Sequence, residues 1–534
     1  MVFLLDINLI KKSLITKIDS IIPVIIFIST FLVYITFLAP SIFKGDSAEF
    51  CITAYILGIP HPNGFPVYTW IGHLFTMLPI GSVAYRVNLM SAFFGAVTVS
   101  LIYVIVLKIA ILDKKIISDI KSSLPAKSIR SSYINVYRFI AVIAALSLAF
   151  SKTFWLQAEF AEVYTFNAFF IALMIVILLL WSKNRDNKFL YIFFLIYGLS
   201  IGAHTSNILF MPAFLVFIAL INYKIFLNIK NVSLFTLLFI IGLSQFIYLL
   251  IRASQYPVYS DISPGLYGWL HLITAEQYSN YLIFSISEIP KRILMYLEFF
   301  KADFLLTGSI LGIIGLIGLL KKNIKVFALL TLMFISNGVF FLNYYVLDVE
   351  VMFIPSFLLF SIFIGIGIAG IFDLIRYISN NFKVEISIKN MNINSFKLFT
   401  VFILLLSLLF IPITSYITNY NQIEQMDDDG FTYFAYTALK EVPSNSTIIT
   451  YWKSYTAFKY FQIVDTINQN VTIIAVDDEN LLNATDQNIN KENLFVVHDT
   501  DLIHEKYNLV PVLDVPQVET MYKVEKKYYE INFQ

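Results

Sequence analysis

The sequence predicts an all-α, multi-span membrane protein with a small α/β domain at its C-terminal end. The 534 residues are 58% hydrophobic and 14% charged, with a mean hydropathy of +0.75, which is too apolar for a soluble protein of this length. Apolar runs of about twenty residues, the length that crosses a bilayer as a helix, recur along the chain. From about residue 419 the chain becomes more charged and less apolar.

Charge and cysteine content exclude two classes of function. A net charge of +1 argues against nucleic-acid binding, which needs a clustered basic face. The single cysteine, Cys51, excludes a disulfide framework and a cysteine-based metal site. The first apolar run, about 21–38, lacks a small-residue cleavage site, so we expect it to remain as a helix.

Hydropathy predicts roughly eleven membrane spans in the first domain, residues 1–418. Lysine and arginine recur in every second loop, including 113–136, so those loops and the N-terminus are predicted to be cytoplasmic. The intervening loops, above all 40–87, then face outward together with the tail. The predicted spans are 21–39, 88–112, 137–154, 164–182, 189–204, 207–222, 233–252, 303–320, 324–343, 352–375 and 397–418.

The second domain, residues 419–534, has a different pattern. Short apolar runs rich in β-formers, "STIITYW", "VTIIAV" and "NLFVVHD", alternate with helical or turn-rich stretches. This alternation is typical of a small α/β domain, which the loop charges place on the extracytoplasmic side.

Polar residues collect in the predicted outward loops, and the first group is "GDSAEF". Asp46 and Glu49 are three residues apart, so they share one face of a helix. A carboxylate at an apolar boundary is suited to deprotonate a hydroxyl group. The alternative is structural, because Asp46 is a good N-cap residue and Glu49 lies at the capping-box position.

The next segment, "GIPHPNGFP", contains His61 and Asn63. Its prolines forbid a regular helix and Asn63-Gly64 favours a turn. The segment could form a rigid lip that faces a ligand, or simply break the chain between two interfacial helices. Arg86 follows at the end of the same loop.

Three further loops contribute candidate residues. "FWLQAEFAEVYTFN" contains Gln157, Glu159 and Glu162 among aromatic residues, where an unpaired charge is costly. A solvated loop face is the alternative.

Arg252 ends a span and is suited either to clamp a phosphate or to snorkel as an anchor. His204 suits a hydrogen-bonded structural role more than a ligand role. No HExxH spacing occurs, so no definite cofactor is predicted and a divalent cation stays open.

These motifs carry a resemblance to a known family. "GDSAEF…GIPHPNGFPVY…GHLFTMLPIGSVAYRVNLMSA", "FWLQAEFAEVYTFNAFF" and "GLSIGAHTSNILFMP" resemble the signature of a membrane family once catalogued only as a domain of unknown function. That family belongs to the GT-C class of glycosyltransferases and includes the animal O-mannosyltransferase of plexin-type receptors. The resemblance covers roughly the first 300 residues. One departure is Ala48, where the family pattern has glycine.

The resemblance implies transfer of a monosaccharide from a polyprenyl- or dolichyl-phosphate donor to a hydroxyl acceptor, on a protein or a glycan, at the outer face. By position, Asp46 would be the catalytic base of an inverting reaction, supported by Glu49. A cation would stabilise the departing lipid phosphate, and Arg252, Arg86 or His61 would supply it. The predicted donor- and acceptor-binding residues are His61, Asn63, Arg86, Gln157, Glu159, Glu162, His204 and Arg252.

Two rival functions remain at this point. A transporter or flippase for lipid-linked sugars also needs many spans, but it should show broken helices with polar residues at mid-span. A non-enzymatic scaffold would not explain carboxylates in several loops. The bias toward isoleucine, lysine and asparagine favours a prokaryotic plasma membrane.

Overall fold

The computed structural model describes residues 17–111, 127–255, 265–283, 285–381, 408–424, 429–498 and 501–527. Within these ranges, eight helices are long and apolar enough to cross a membrane, and two shorter apolar helices accompany them. These ten helices correspond to ten of the eleven predicted spans. Half of the eleventh, residues 397–407 of the span 397–418, lies outside the described residues. The predicted fold class is therefore confirmed.

The helical domain runs from α1 to α16. Between α8 and α9 lies a 3₁₀ turn, Thr205–Phe210, which continues into α9. The helices are α1 Ile18–Thr36, α2 Ser47–Ile56, α3 Pro66–Thr76, α4 Val83–Ile111, α5 Lys127–Ala149, α6 Lys152–Leu156, α7 Tyr164–Asn184, α8 Lys188–Ile201, α9 Met211–Asn222, α10 Ile229–Leu243, α11 Ile247–Gln255, α12 Leu266–Thr274, α13 Ile289–Lys322, α14 Ile324–Phe341, α15 Ile354–Asn381 and α16 Phe410–Glu424.

Glycine permits the closest helix contacts. A Cβ atom at Gly315 of α13 would overlap the carbonyl oxygen of Phe363 in α15, and one at Gly367 would overlap that of Leu311. Small residues let two backbones approach where lipid supplies no hydrophobic force between helices. The α13–α15 pair is accordingly among the most closely packed in the molecule.

The first outward loop of the sequence prediction contains the short helices α2 and α3. The predicted break at "PHPNG" separates them, with Phe65 in the left-handed region (φ 35°) just before Pro66 starts α3. Eight of the ten residues of α2 are buried. Because α2 is buried on most sides, the residue before it and the loop after it have defined positions.

The C-terminal domain is a five-stranded mixed sheet with helices on both faces. The strand order is β2-β1-β3-β5-β4; β1 pairs in parallel with both β2 and β3, whereas β5 runs antiparallel to β3 and β4. The α/β prediction for the tail is therefore confirmed. The elements are α17 Asp429–Glu441, β1 Thr447–Thr450, α18 Trp452–Ile463, β2 Thr472–Ala475, α19 Asp478–Asn488, β3 Leu494–Val497, α20 Asp501–Lys506, β4 Tyr507–Val515 and β5 Glu519–Lys526.

The two domains share one hydrophobic core. Phe50 and Tyr68 of the first outward loop, Phe166 of α7, and Phe434 and Phe458 of the C-terminal domain belong to the same buried cluster. The predicted boundary at 418/419 falls inside helix α16 and stays a prediction. The shared core holds the C-terminal domain against α2, which is where the candidate site lies.

Candidate active site

Asp46 stands at the first position before helix α2. Its side chain makes no capping hydrogen bond to the helix, so the capping alternative is not what orients it. Instead, Asp46 Oδ1 accepts a hydrogen bond of 3.0 Å from the indole N–H of Trp452. The Asp46 side chain is 38% exposed, and an incoming hydroxyl group can therefore reach it.

Glu49 is completely buried one turn later, where it holds the loop that follows α2. Its Oε1 accepts the backbone N–H of His61 at 2.6 Å, and its Oε2 lies 2.7 Å from the ring Nδ1 of the same residue. These two contacts set both the position and the ring orientation of His61. The predicted supporting role of Glu49 thus gains a geometric basis, through His61.

His61 lies between two carboxylates. Its Nδ1 is 4.0 Å from Asp46 Oδ2 as well as 2.7 Å from Glu49. Burial alone lowers the pKa of His61, but the negative charges of Glu49 and Asp46 outweigh burial and raise it to about 10. A histidine in this setting carries a positive charge at neutral pH.

Asn63 ties the site loop to two later parts of the chain. Its side-chain oxygen accepts from Thr205 Oγ1 at 2.6 Å, and its Nδ2 donates to the carbonyl of Ile273 at 3.2 Å. Asn63 is 8% exposed. It is therefore placed to fix the shape of the "HPNG" turn.

The second of the loops that are predicted to face outward has its carboxylates in two places. Glu162 is partly buried, and its pKa is raised well above the ordinary value by burial and then by the nearby charge of Asp46. Glu162 thus belongs with the Asp46 group. Glu159 and Gln157 are buried, and Glu159 lines a separate cavity of about 500 Å³ bounded by Phe37, Tyr416 and other aromatic residues.

The two predicted phosphate-clamping arginines are engaged with backbone carbonyls. Arg86 donates to the carbonyls of Thr76, Ile80 and Gly81. These hydrogen bonds hold the turn between α3 and α4. Arg252 donates to those of Ile56 and Leu57 at 2.8 and 2.7 Å, where α2 ends. The structure therefore gives both residues a structural contact, and a phosphate contact for either stays a prediction.

His204 lies near the site without joining the carboxylate group. Its Nδ1 accepts from Ser206, 2.7 Å from the hydroxyl oxygen. Burial and the positive charge of His61 lower its pKa to about 4, so His204 is neutral at physiological pH. A donor- or acceptor-binding role for His204 stays a prediction.

The group Asp46, Glu49 and His61 also has the donor set of a cation site. Each offers one ligand atom, and these atoms lie within 4.8 Å of one another. Carboxylate oxygens and an imidazole nitrogen suit several divalent metals. A divalent cation, which the sequence leaves open, would thus have its ligands here if one binds.

Sequence reasoning missed Trp452, the donor to Asp46. The sequence does offer a signal, because Trp452 is the last residue of the predicted β-rich run "STIITYW". In α/β domains, the residues just past the carboxyl ends of parallel strands are those that face ligands. That rule identifies the edge of the sheet but not the surface against which it docks.

The fold defines the class of protein. It is similar to that of ArnT from Cupriavidus metallidurans, whose crystal structure was determined with undecaprenyl phosphate bound; the TM-score is 0.56 at 10% identity, and the likeness covers 94% of this chain and 97% of that one. At this identity the likeness shows the fold alone. The chain is a multi-pass membrane protein with a GT-C type fold.

The family resemblance is confirmed by sequence comparison. Residues 46–226 match the family model for the Protein O-mannosyl-transferase TMEM260 N-terminal domain. Protein O-mannosyl-transferase tmem260 of Dictyostelium discoideum is 24% identical over 88% of this chain, and Protein O-mannosyl-transferase TMEM260 of Mus musculus is 28% identical over 46%. The chain spans 58% and 31% of the lengths of these two relatives.

Proposed function

We propose that this protein is a membrane glycosyltransferase that transfers a monosaccharide, mannose by family resemblance, from a polyprenyl- or dolichyl-phosphate sugar to a protein hydroxyl group. The observation that carries the proposal is the Asp46–Glu49–His61 group, located where the family match begins. The names of the relatives support the reaction class, and the undecaprenyl phosphate in the ArnT structure supports a lipid-phosphate donor.

In this proposal Asp46 is the general base. Its carboxylate takes the proton of the acceptor hydroxyl while the hydroxyl oxygen forms a bond to the anomeric carbon of the sugar. The bond from that carbon to the phosphate oxygen breaks, and the lipid phosphate leaves with the electron pair. Asp46 then releases its proton to solvent. A single carboxylate base is sufficient for such an inverting displacement.

His61 is the group best placed to meet the charge on the departing phosphate. Of the three cations predicted for that role, it is the one that lies 4.0 Å from the base. Because the two carboxylates keep it protonated, it can stabilise negative charge at neutral pH. Glu49 holds His61 in position, whereas Glu162 and Asn63 would shape the sugar pocket.

We also propose that the site and the C-terminal domain lie on the extracytoplasmic side. The support is the excess of lysine and arginine in the alternate loops. Location in a prokaryotic plasma membrane stays a prediction from composition, since both relatives named above come from eukaryotes.

Asp46→Asn tests the proposal directly. It keeps an oxygen that can accept from Trp452 but removes the base, so transfer from a radiolabelled polyprenyl-phosphate mannose to an acceptor protein should fall at least 100-fold, on the order of a lost general base. The exposed Asp514 on β4 offers a matched control, and Asp514→Asn should leave the rate unchanged.

Two outcomes would count against the enzyme. One is full activity of the Asp46→Asn variant at wild-type levels of folded, membrane-inserted protein. The other is uptake of the labelled lipid-linked sugar across reconstituted vesicles without covalent transfer, which would favour the transporter alternative.

A further inference from the structure

The base carboxylate is held by a residue from the far end of the chain. Trp452, 406 positions after Asp46, donates its indole N–H to Asp46 Oδ1 at 3.0 Å. The other carboxylate oxygen, Oδ2, lies 4.0 Å from His61 Nδ1. Oδ1 of Asp46 is therefore held by a neutral donor, the indole N–H, whereas Oδ2 lies on the side of His61.

The fold of the C-terminal domain determines where Trp452 stands. It is the first residue of α18, one position past Tyr451, at the carboxyl end of β1. The chain leaves β1 through α18 toward β2 on one side, whereas β3 lies on the other side of β1. This is a topological switch point, the place where open α/β sheets present ligand-facing residues. In this protein the switch point is turned toward Asp46.

The docking of this edge is rigid. Helix α18 packs directly on α2, and the hydroxyl of Tyr460 in α18 accepts the backbone N–H of Ala84 at 3.1 Å. Thr432 of α17 donates to the carbonyl of Ile42 at 3.0 Å. Because the two domains also share a buried core, the indole is held in place by the fold on both sides.

We propose that Trp452 is a positioning residue for Asp46, so that the C-terminal domain completes the active site; this inference rests on the proposed function. An indole N–H donates only and does not titrate in the working range, so the anchor persists through the reaction cycle. Fixing Oδ1 also leaves Oδ2 in one orientation to receive the proton.

Trp452→Phe is the direct test in the full-length protein. It keeps an aromatic ring in the interface but removes the N–H. We expect kcat to fall on the order of 10- to 100-fold, as for loss of a hydrogen bond to a charged group. The KM for donor and for acceptor should stay within about twofold, because neither substrate binds Trp452 in this proposal.

Tyr460→Phe is the matched control. It removes a hydrogen bond from the same helix and the same interface without contacting Asp46, so kcat should stay at the wild-type level. Wild-type kcat in the Trp452→Phe variant would overturn the proposal. An equal fall of kcat in both variants would also overturn it, since it would show a general effect of docking.

A second measurement separates this inference from the proposed function. The melting temperatures of Trp452→Phe, Asp46→Ala and the double variant form a cycle that needs no enzyme assay. Non-additive shifts are expected from a direct hydrogen bond, and additive shifts would overturn the contact and with it the positioning role. Non-additive shifts in a protein that transfers no sugar would overturn the proposed function while the contact itself stands.

Discussion

At the scale of single residues, the candidate site depends on a buried carboxylate, Glu49, that is separate from the proposed base. Glu49 is fully buried, and both of its carboxylate oxygens contact His61, one at the backbone N–H and the other at the ring Nδ1. Burying a carboxylate is costly unless it is paired and hydrogen-bonded. The pairing places His61 4.0 Å from Asp46, the proposed base, an arrangement that two carboxylates alone would not provide.

The protonation of His61 has a consequence for stability. Its pKa is raised from 6.5 to about 10, because the attraction of Glu49 and Asp46 outweighs burial. The folded protein therefore keeps a proton that the unfolded chain releases above pH 6.5. The stabilisation is complete below that pH and is lost as pH rises toward 10.

We predict that the melting temperature of the wild type falls between pH 7 and pH 9.5, and that His61→Gln flattens this part of the curve. Scanning fluorimetry in detergent at several pH values measures it. His504→Gln, in the C-terminal domain, is the control and should keep the wild-type slope. A wild-type slope in the His61→Gln variant would show that His61 is not the group that titrates.

At the scale of elements, the helix pair α13–α15 depends on glycines whose missing side chains allow backbone contact. Gly315 faces the carbonyl of Phe363, whereas Gly318, three residues on in the same helix, has open space where a Cβ would lie. The same substitution at these two positions should therefore have opposite effects on stability.

We predict that Gly315→Ala lowers the melting temperature because the added methyl group forces the two helices apart. Gly318→Ala should leave it unchanged or raise it, since alanine is favoured over glycine in a helix by up to about 1 kcal/mol. Thermal unfolding of both purified variants measures the difference. Equal effects at the two positions would contradict the close contact.

Single side chains also hold short helices in position. Helix α2 ends at Ile56, and Arg252 donates there to the carbonyls of Ile56 and Leu57. A cation at a helix C-terminus pairs with carbonyls that have no partner within the helix. The sequence suggests a membrane anchor or a phosphate clamp for Arg252. Its carbonyl partners lie 195 and 196 positions earlier in the chain, so local sequence does not identify them.

At the scale of the whole molecule, one buried cluster joins the two domains in this structure. Phe434 and Phe458 of the C-terminal domain lie in the same buried cluster as Phe50 and Tyr68 beside the site. A core that crosses a domain boundary couples the stability of the two sides.

We predict that Phe458→Ala, a substitution at a fully buried position, destabilises the protein by roughly 3–5 kcal/mol and lowers the midpoint of a single unfolding transition. Calorimetry of the detergent-solubilised protein would measure it. Phe410→Ala at the exposed start of α16 is the control and should have little effect. A separate early transition confined to the C-terminal domain would contradict the shared core.

Much of this architecture follows from local sequence. Runs of apolar residues determine helices that cross a bilayer, because no other backbone conformation satisfies its own hydrogen bonds in lipid. Alternating short β-rich and helical stretches determine the α/β tail. The i, i+3 spacing of Asp46 and Glu49, and the prolines that follow, predict that the two carboxylates lie at the start of one short helix that ends before His61.

Only the tertiary structure decided which of these groups meet. The charge of Asp46 acts on Glu162, whereas Glu159, three residues earlier, lines another cavity. The two arginines donate to backbone carbonyls. Trp452 of the C-terminal domain donates a hydrogen bond to Asp46. Contacts between residues this far apart depend on how helices pack and domains dock, and a sequence read by local periodicity carries no direct record of that packing.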